Sequence, residues 1–367
     1  MSESRYYADL CLVQLAVDDP DAEDGTRIEV LDPLNTDIDP TPVAELLADP
    51  DIEIVMHAGR QDVAILRRVW QTDVRNVFDT QVAAGFVGAG AQPGYGHLLA
   101  AILGVQLDKS ASFTRWDVRP LSREQVRYAR EDVEHILQLS TELQNRMVDS
   151  GRLEWAREEC RRLDDATDQR DPDTAYTRLP RSNQLKPRAR AVARELAAWR
   201  ERTAQRENKP VGSIVQDAAL VEIAKRQPAD TNALEQIRGV HAGISRRRGQ
   251  EILGAIVRGA EAEPPPAEDR EPLKATPEDQ PVVSLAEAFV RSRVMEAQLA
   301  YELVVTRSDM TVLVATVRRG APEPALRILE GWRRELVGEE VLELLAGRRS
   351  LRVDQRGRLN VEETAAV

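Results

Sequence analysis

The stretch Ile52–Asp62, IEIVMHAGRQD, changes character in its middle. Ile52–Met56 is an apolar run of strand length, and Ala58-Gly59 interrupts it. From Arg60 to Trp70, Val63, Leu66 and Val69 recur at helical spacing. Strand, turn and helix in that order are the building unit of α/β sheets. The same alternation extends in both directions. Upstream, Leu10–Val17 (LCLVQLAV) and Arg27–Leu31 (RIEVL) read as strands, and Pro42–Ala48 reads as a short helix. Downstream, Asn76–Phe86 continues the pattern, and Gly96–Leu103 is helical. A long helical pattern opens at Ser122, an N-cap with Gln125 three residues on. It runs through Leu143 and resumes after Ser150-Gly151 to Arg161. Residues 1–165 are therefore expected to form an α/β domain with helices covering a sheet.

The rest of the chain lacks strands. Asp164–Ser182 is polar and aperiodic, which predicts a linker over 166–182. Residues 183–260 are mostly helical, broken at Lys209-Pro210 and Pro228. Residues 261–283 carry Pro264, Pro265, Pro266, Pro272, Pro277 and Pro281 among acids, a second, extended linker. Residues 284–355 are helical again, and 356–367 read as a tail. A length of 367 residues suits two or three domains at roughly 100–200 residues each. No run approaches about 18 consecutive apolar residues, so no membrane-spanning helix is expected. The start, MSESRYYADL, has no secretory pattern. Two cysteines, Cys11 and Cys160, cannot make a disulfide framework or a Cys-based zinc site. The expected compartment is a reducing cytoplasm.

The net charge of −12 argues against nucleic acid only until it is mapped. Residues 1–60 hold 15 Asp+Glu and 3 Lys+Arg, while residues 181–260 hold 16 Lys+Arg and 8 Asp+Glu. An acidic module thus hides a basic one, and binding answers to the local field. The plainer alternative is a set of solvated charged helices.

Three groups could carry chemistry. Asp62 lies where a buried strand enters a helix, at the sheet edge where α/β sites form. An acid there is also an ordinary dipole-compensating residue. Tyr128 and Asp132 are four apart and share a helix face. Arg246, Arg247 and Arg248 follow Gly243-Ile244-Ser245 at the start of a helix, where guanidinium and N–H groups could hold phosphates. Trp199 and Trp332 read as core residues. Aromatics total only 4%, so phosphate contacts should outweigh base stacking.

The order of blocks carries more than any one of them. HAGRQD (57–62) is followed by VFDTQVAAGFVG (77–88), GYGHLLAAILGVQLDKS (94–110), Trp116 with RPLS (119–122), and YAREDVEHIL (128–137). This succession resembles the ribonuclease D family of 3′-to-5′ exonucleases, in the tyrosine subgroup of the superfamily named for its four acidic residues. The segments at 193–228 and 239–253 resemble the HRDC helical domain shared by RecQ-type helicases and ribonuclease D. The segment at 331–354 looks like a second, more divergent copy. The resemblance implies an α/β ribonuclease H-like exonuclease domain followed by two all-α HRDC-type domains. It also implies hydrolysis by two divalent ions, Mg²⁺ or Mn²⁺, held by carboxylates. On this resemblance Asp62 is the third acid, Asp132 the fourth, and Tyr128 orients the attacking water. Asp79 reads as a structural cap. The implied partner is RNA, at the 3′ ends of tRNA precursors and other stable RNAs. A DNA-directed exonuclease is a further possibility on the same scaffold.

One departure matters. The family's first two acids form Asp-x-Glu on a strand ahead of the one that is here LCLVQLAV. The only early triplet of that spacing, Asp21-Ala22-Glu23, follows the strand in a charged loop and reads as solvated surface. The exonuclease domain is thus expected to lack its first strand and half its metal ligands. Low activity, or a non-catalytic nucleic-acid-binding role, follows as an expectation.

Overall fold

A computed structural model of the chain describes residues 5–22, 25–35, 37–107, 115–265, 273 and 275–363. Glu23, residues 108–110 of the GYGHLLAAILGVQLDKS block, residues 266–272 and 274 of the Pro-rich segment, and residues 364–367 of the tail lie outside the described residues. The chain divides into two compact units, one drawn from 11–166 and 271–367, the other from 1–10 and 167–270.

The first unit opens with β1 (Val13–Asp18), antiparallel to β2 (Thr26–Leu31), with Val13 opposite Leu31 and Asp18 opposite Thr26. α1 (Thr41–Ala48) leads to β3 (Ile54–Met56), α2 (Arg60–Trp70) and β4 (Val77–Asp79). β3 and β4 are parallel, as a helical crossover requires. α3 (Thr80–Ala84), α4 (Tyr95–Ile102), α5 (Arg123–Glu134), α6 (Ile136–Asp149) and α7 (Leu153–Asp164) follow. Ser122 and Gln125 form a reciprocal capping box at the start of α5, as the sequence predicts. The expected long helix is broken at His135, whose φ of −109° and ψ of 6° leave the helical region.

Among the described residues β1 pairs with β2 alone and β3 with β4 alone, so two ribbons stand where one sheet was expected. α6 packs against both β1 and β3 and holds the ribbons together.

The second unit is helical. A 3₁₀ helix (Pro172–Arg178) precedes α8 (Pro187–Glu207), α9 (Val211–Ile214), α10 (Asp217–Arg226), α11 (Thr231–Glu235) and α12 (Ala242–Glu261). Val192, Leu196, Leu220, Ile223, Leu234 and Ile252 form its core. Trp199 is buried and donates its indole N–H to Glu251 at 2.7 Å. α8 and α12 cross closely at Gly259, where an added Cβ would sit 2.5 Å from the Val192 Cα. The stretch expected as a linker is partly core, since Ala175 and Leu179 are buried here. Ala175 and Tyr176 in the 3₁₀ helix, with Leu179 just past it, are too few to show as periodicity. Tyr6 and Tyr7 also belong to this unit, because their backbone N–H groups donate to Asn208 Oδ1 at 3.1 and 3.0 Å.

The first unit is completed by α13 (Gln280–Glu296), α14 (Tyr301–Val304), α15 (Arg307–Arg318), α16 (Gly331–Arg333) and α17 (Glu339–Leu345). β5 (Arg349–Val353) and β6 (Leu359–Glu363) then form an antiparallel hairpin in place of the expected helix end and tail. Leu351 and Val361 pair on one face of it, and Gly357, at φ +75°, supplies the left-handed turn residue. Residues 284–355 were expected to form a body of their own. Instead one core runs from Phe78, Phe86, Leu98 and Leu139 through Val283, Phe289, Val314 and Trp332. Trp332 stacks on Trp155 of α7 with centroids 5.1 Å apart. Beside that stack, Glu159 accepts from Arg333 and Arg327, each at 2.6 Å.

Candidate active site

Asp62 is the third residue of α2, just past the turn His57-Ala58-Gly59. That turn is tight. Ala58 has φ +55°, and a Cβ on Gly59 would lie 2.6 Å from the Met56 sulfur. Asp79, at the end of β4, fixes the turn. Its carboxylate accepts from the N–H of Ala58 (3.0 Å), Gly59 (2.8 Å), Gln81 (2.8 Å) and Val82 (3.4 Å). One buried acid therefore caps α3 and braces the start of α2, the structural role the sequence assigned to it. Thr80 donates to the Met56 carbonyl at 3.0 Å and contacts His57 Nδ1 at 3.0 Å.

The Asp62 carboxyl keeps an exposed surface, yet protein surrounds most of the volume about it. This desolvation, followed by the nearby charge of Asp79, raises its pKa above the usual carboxylate range. Asp132 on α5 is half-buried. Burial pushes its pKa up to about 6, although the Tyr128 hydroxyl donates to it and pulls the other way, and Glu131 adds to the rise. The Tyr128 phenol is raised by burial and then by Asp132. No Lys or Arg pairs with Asp62 or Asp132 among the described residues.

The motifs alone did not reveal a ring pair within the electrostatic reach of Asp79 and Asp132. The His57 and Tyr95 rings pack with centroids 5.3 Å apart. Burial holds the His57 imidazole below its ordinary pKa, against the charge of Asp79. Burial and the charge of Asp132 raise the Tyr95 phenol. His57 thus contacts Thr80, the neighbour of Asp79, and packs on Tyr95, whose phenol feels the charge of Asp132. His57 and Tyr95 both stood in the quoted blocks, but nothing in the spacing marked them as partners. Trp116 lies 6.1 Å from the Tyr128 ring. Its loop is pinned by Arg119, which donates to both Asp32 oxygens at 2.6 Å and to the Cys11 carbonyl at 2.7 Å.

Two carboxylates with raised pKa and no cation beside them are suited to a hard cation. They fall short of a ligand set. Among the described residues no group of three or more His, Cys, Asp or Glu converges on one point. The residues present do not by themselves fit a pair of divalent ions.

The arginine triplet divides. Arg246 and Arg247 are exposed in the first turns of α12. Arg248 is not available to a ligand in the same way. It makes a two-point ion pair with Glu207, both contacts at 2.9 Å, and only 12% of its side chain is exposed.

A family model described as 3′-5′ exonuclease matches residues 1–148, and one described as HRDC domain matches residues 189–256. The chain is 39% identical over 357 residues to the ribonuclease D of Gluconacetobacter diazotrophicus, covering 96% of this chain and 87% of that one. It is 37% identical to the ribonuclease D of Granulibacter bethesdensis, with coverage of 96% and 87%. Among solved structures, it is similar to Escherichia coli RNase D, described as an exoribonuclease involved in structured RNA processing. That likeness has a TM-score of 0.77 at 26% identity and covers 94% of this chain and 90% of the other.

Proposed function

The chain belongs to the ribonuclease D family of 3′–5′ exonucleases, and from that premise we propose that it shortens RNA from the 3′ end, tRNA precursors included, in the cytoplasm. The observation that carries this reading is the pair Asp62 and Asp132, two carboxylates with raised pKa, neither paired with a Lys or Arg among the described residues. The family's fold implies dependence on a divalent metal, Mg²⁺ or Mn²⁺ in this reading, which supplies Lewis acidity when bound. The protein's own part is positional. Asp79 and Gly59 hold the turn that presents Asp62. Tyr128, hydrogen-bonded to Asp132, orients the attacking water. Residues 284–355 act as a second, divergent HRDC copy, and Arg246 and Arg247 add phosphate contacts.

With two carboxylates, the 367-residue chain turns RNA over very slowly. The test compares release of 3′ mononucleotides by this chain and by one extended at its N-terminus with a strand carrying Asp-x-Glu. Activity appears in the extended chain and is lost in Asp132→Ala. Tyr128→Phe lowers its kcat while leaving RNA affinity nearly unchanged, since the phenol acts on the water and not on binding. That no three-residue ligand cluster forms among the described residues favours one second reading, a non-catalytic RNA-binding protein on this scaffold. An inert extended chain that still binds RNA would support that reading.

A further inference from the structure

Residues 174–194, TAYTRLPRSNQLKPRARAVAR, contain six cations and no acid, in a chain whose net charge is −12. The structure folds the middle of this run into consecutive turns. Arg181 precedes the short 3₁₀ helix Ser182–Gln184, Lys186 is the N-cap residue of α8, and Arg188 lies in its first turn. Gln184 N–H donates to Arg181 O at 3.0 Å, and Arg190 N–H to Lys186 O at 2.9 Å, so these cations sit within a few residues of tightly wound chain. Arg181, Lys186 and Arg188 are exposed and make no ion pair among the described residues. Arg178 at one flank pairs with Glu201 at 3.7 Å, and Arg194 at the other donates to the Glu263 carbonyl at 3.4 Å.

Each of these placements costs the fold something. A 21-residue helix carries partial positive charge at its N-terminus, yet α8 begins among cations, without an acid in its first turn and without a side-chain cap. Arg181 holds the left-handed conformation, φ +58°, which a long L side chain adopts rarely. A sequence shaped only for stability would place Asp, Ser or Asn at these points. An anion laid across the turn relieves the charge.

We infer that the RNA backbone docks on Arg181, Lys186 and Arg188, ahead of the segment the HRDC model matches, and that this surface outweighs Arg246 and Arg247. The inference rests on the RNA reading above but not on catalysis. Arg248 is committed to Glu207, which leaves the original triplet with two cations. The 181–188 turn has three, with no acid within reach along the chain. Phosphates carry no sequence information, so the surface binds unrelated RNAs alike.

The experiment is fluorescence anisotropy with the full 367-residue protein in EDTA, using two unrelated labelled single-stranded RNAs at several salt concentrations. The triple reversal Arg181→Glu, Lys186→Glu and Arg188→Glu should weaken binding of both RNAs by at least about tenfold at low salt. It should also reduce the salt slope by about 2, from three lost phosphate contacts on a single strand. The milder triple change to Gln should give the same slope with a smaller loss, which separates lost contacts from misfolding. Arg246→Glu with Arg247→Glu should change affinity less than about threefold. A loss as large in the Arg246/Arg247 variant as in the triple, or unchanged affinity and slope in the Gln triple, would overturn the inference. EDTA suppresses turnover, so a failure here leaves the exonuclease reading standing, and an inert enzyme leaves this one standing.

Discussion

Glu159, buried, and Asp132, half-buried, lie in the same unit, and the protein treats them in opposite ways. Burial pushes the Glu159 carboxyl up, but the hydrogen bond from Arg333 and the charges of Arg333, Arg327 and Arg162 together bring it below the ordinary range. Asp132 is raised to about 6, and among the described residues a neutral phenol is its side-chain donor. Asp79 resembles Glu159 in being fully supplied, though by backbone N–H groups. Asp62 resembles Asp132. Where this chain uses an acid to hold its parts together, it supplies the positive partner itself. At the candidate site it withholds one, and an unpaired carboxylate is what a cation from solution requires.

The largest effect should come from breaking the supplied pair. Arg333 is 1% exposed and also donates to the Leu303 carbonyl at 2.6 Å. Replacing Arg333 and Arg327 together by Ala strips Glu159 of both hydrogen-bonded cations and should cost about 3–5 kcal/mol in denaturant unfolding. A loss under about 1 kcal/mol would mean water reaches Glu159 and the contrast is false. Next comes Asp79→Ala, which orphans four N–H groups and should cost about 3 kcal/mol. It should also depress exonuclease activity of the extended chain, because the turn presenting Asp62 loosens. Stability lost with activity intact would detach Asp79 from the site.

A smaller effect sits in the helical unit. Hydrogen bonding to Arg248, ahead of Lys209, holds the Glu207 carboxyl down to about 2. Its folded pKa is below its unfolded one, so the stabilisation is full above about pH 4.3 and fades as pH falls toward 2. Glu207 is partly exposed, so Glu207→Gln should cost at most about 1 kcal/mol at neutral pH, and the gap should close near pH 2. A gap independent of pH would show that packing, not charge, is lost.

The features legible in the sequence were those set by local rules. The strand–turn–helix at 52–70, the Ser122 capping box and the order of the motif blocks depend on neighbours a few residues apart. The candidate residues Asp62, Tyr128 and Asp132 stand in the same blocks. What was not legible depends on distant partners. Arg248 finds Glu207, 41 residues away, and so leaves the basic triplet. His57 and Tyr95 meet across 38 positions of sequence, and their pairing has no periodic signal. Leu351 and Val361 belong to strands too short and charged to stand out from a tail.

The contrast between supplied and withheld partners is tested most directly by thermal unfolding of Asp132→Asn without divalent metal. The folded pKa of Asp132 lies above its unfolded value, so its ionised form opposes folding above about pH 6 and the penalty disappears below about pH 4. Asn keeps an acceptor for Tyr128 and removes the charge. The account predicts a variant more stable than the natural protein at pH 8 by about 1 kcal/mol, or about 2–4 °C in Tm, with the two converging at pH 4. A variant that melts below the natural protein at pH 8 would show that Asp132 is held by a partner inside the fold, and the site would lose its claim to a cation.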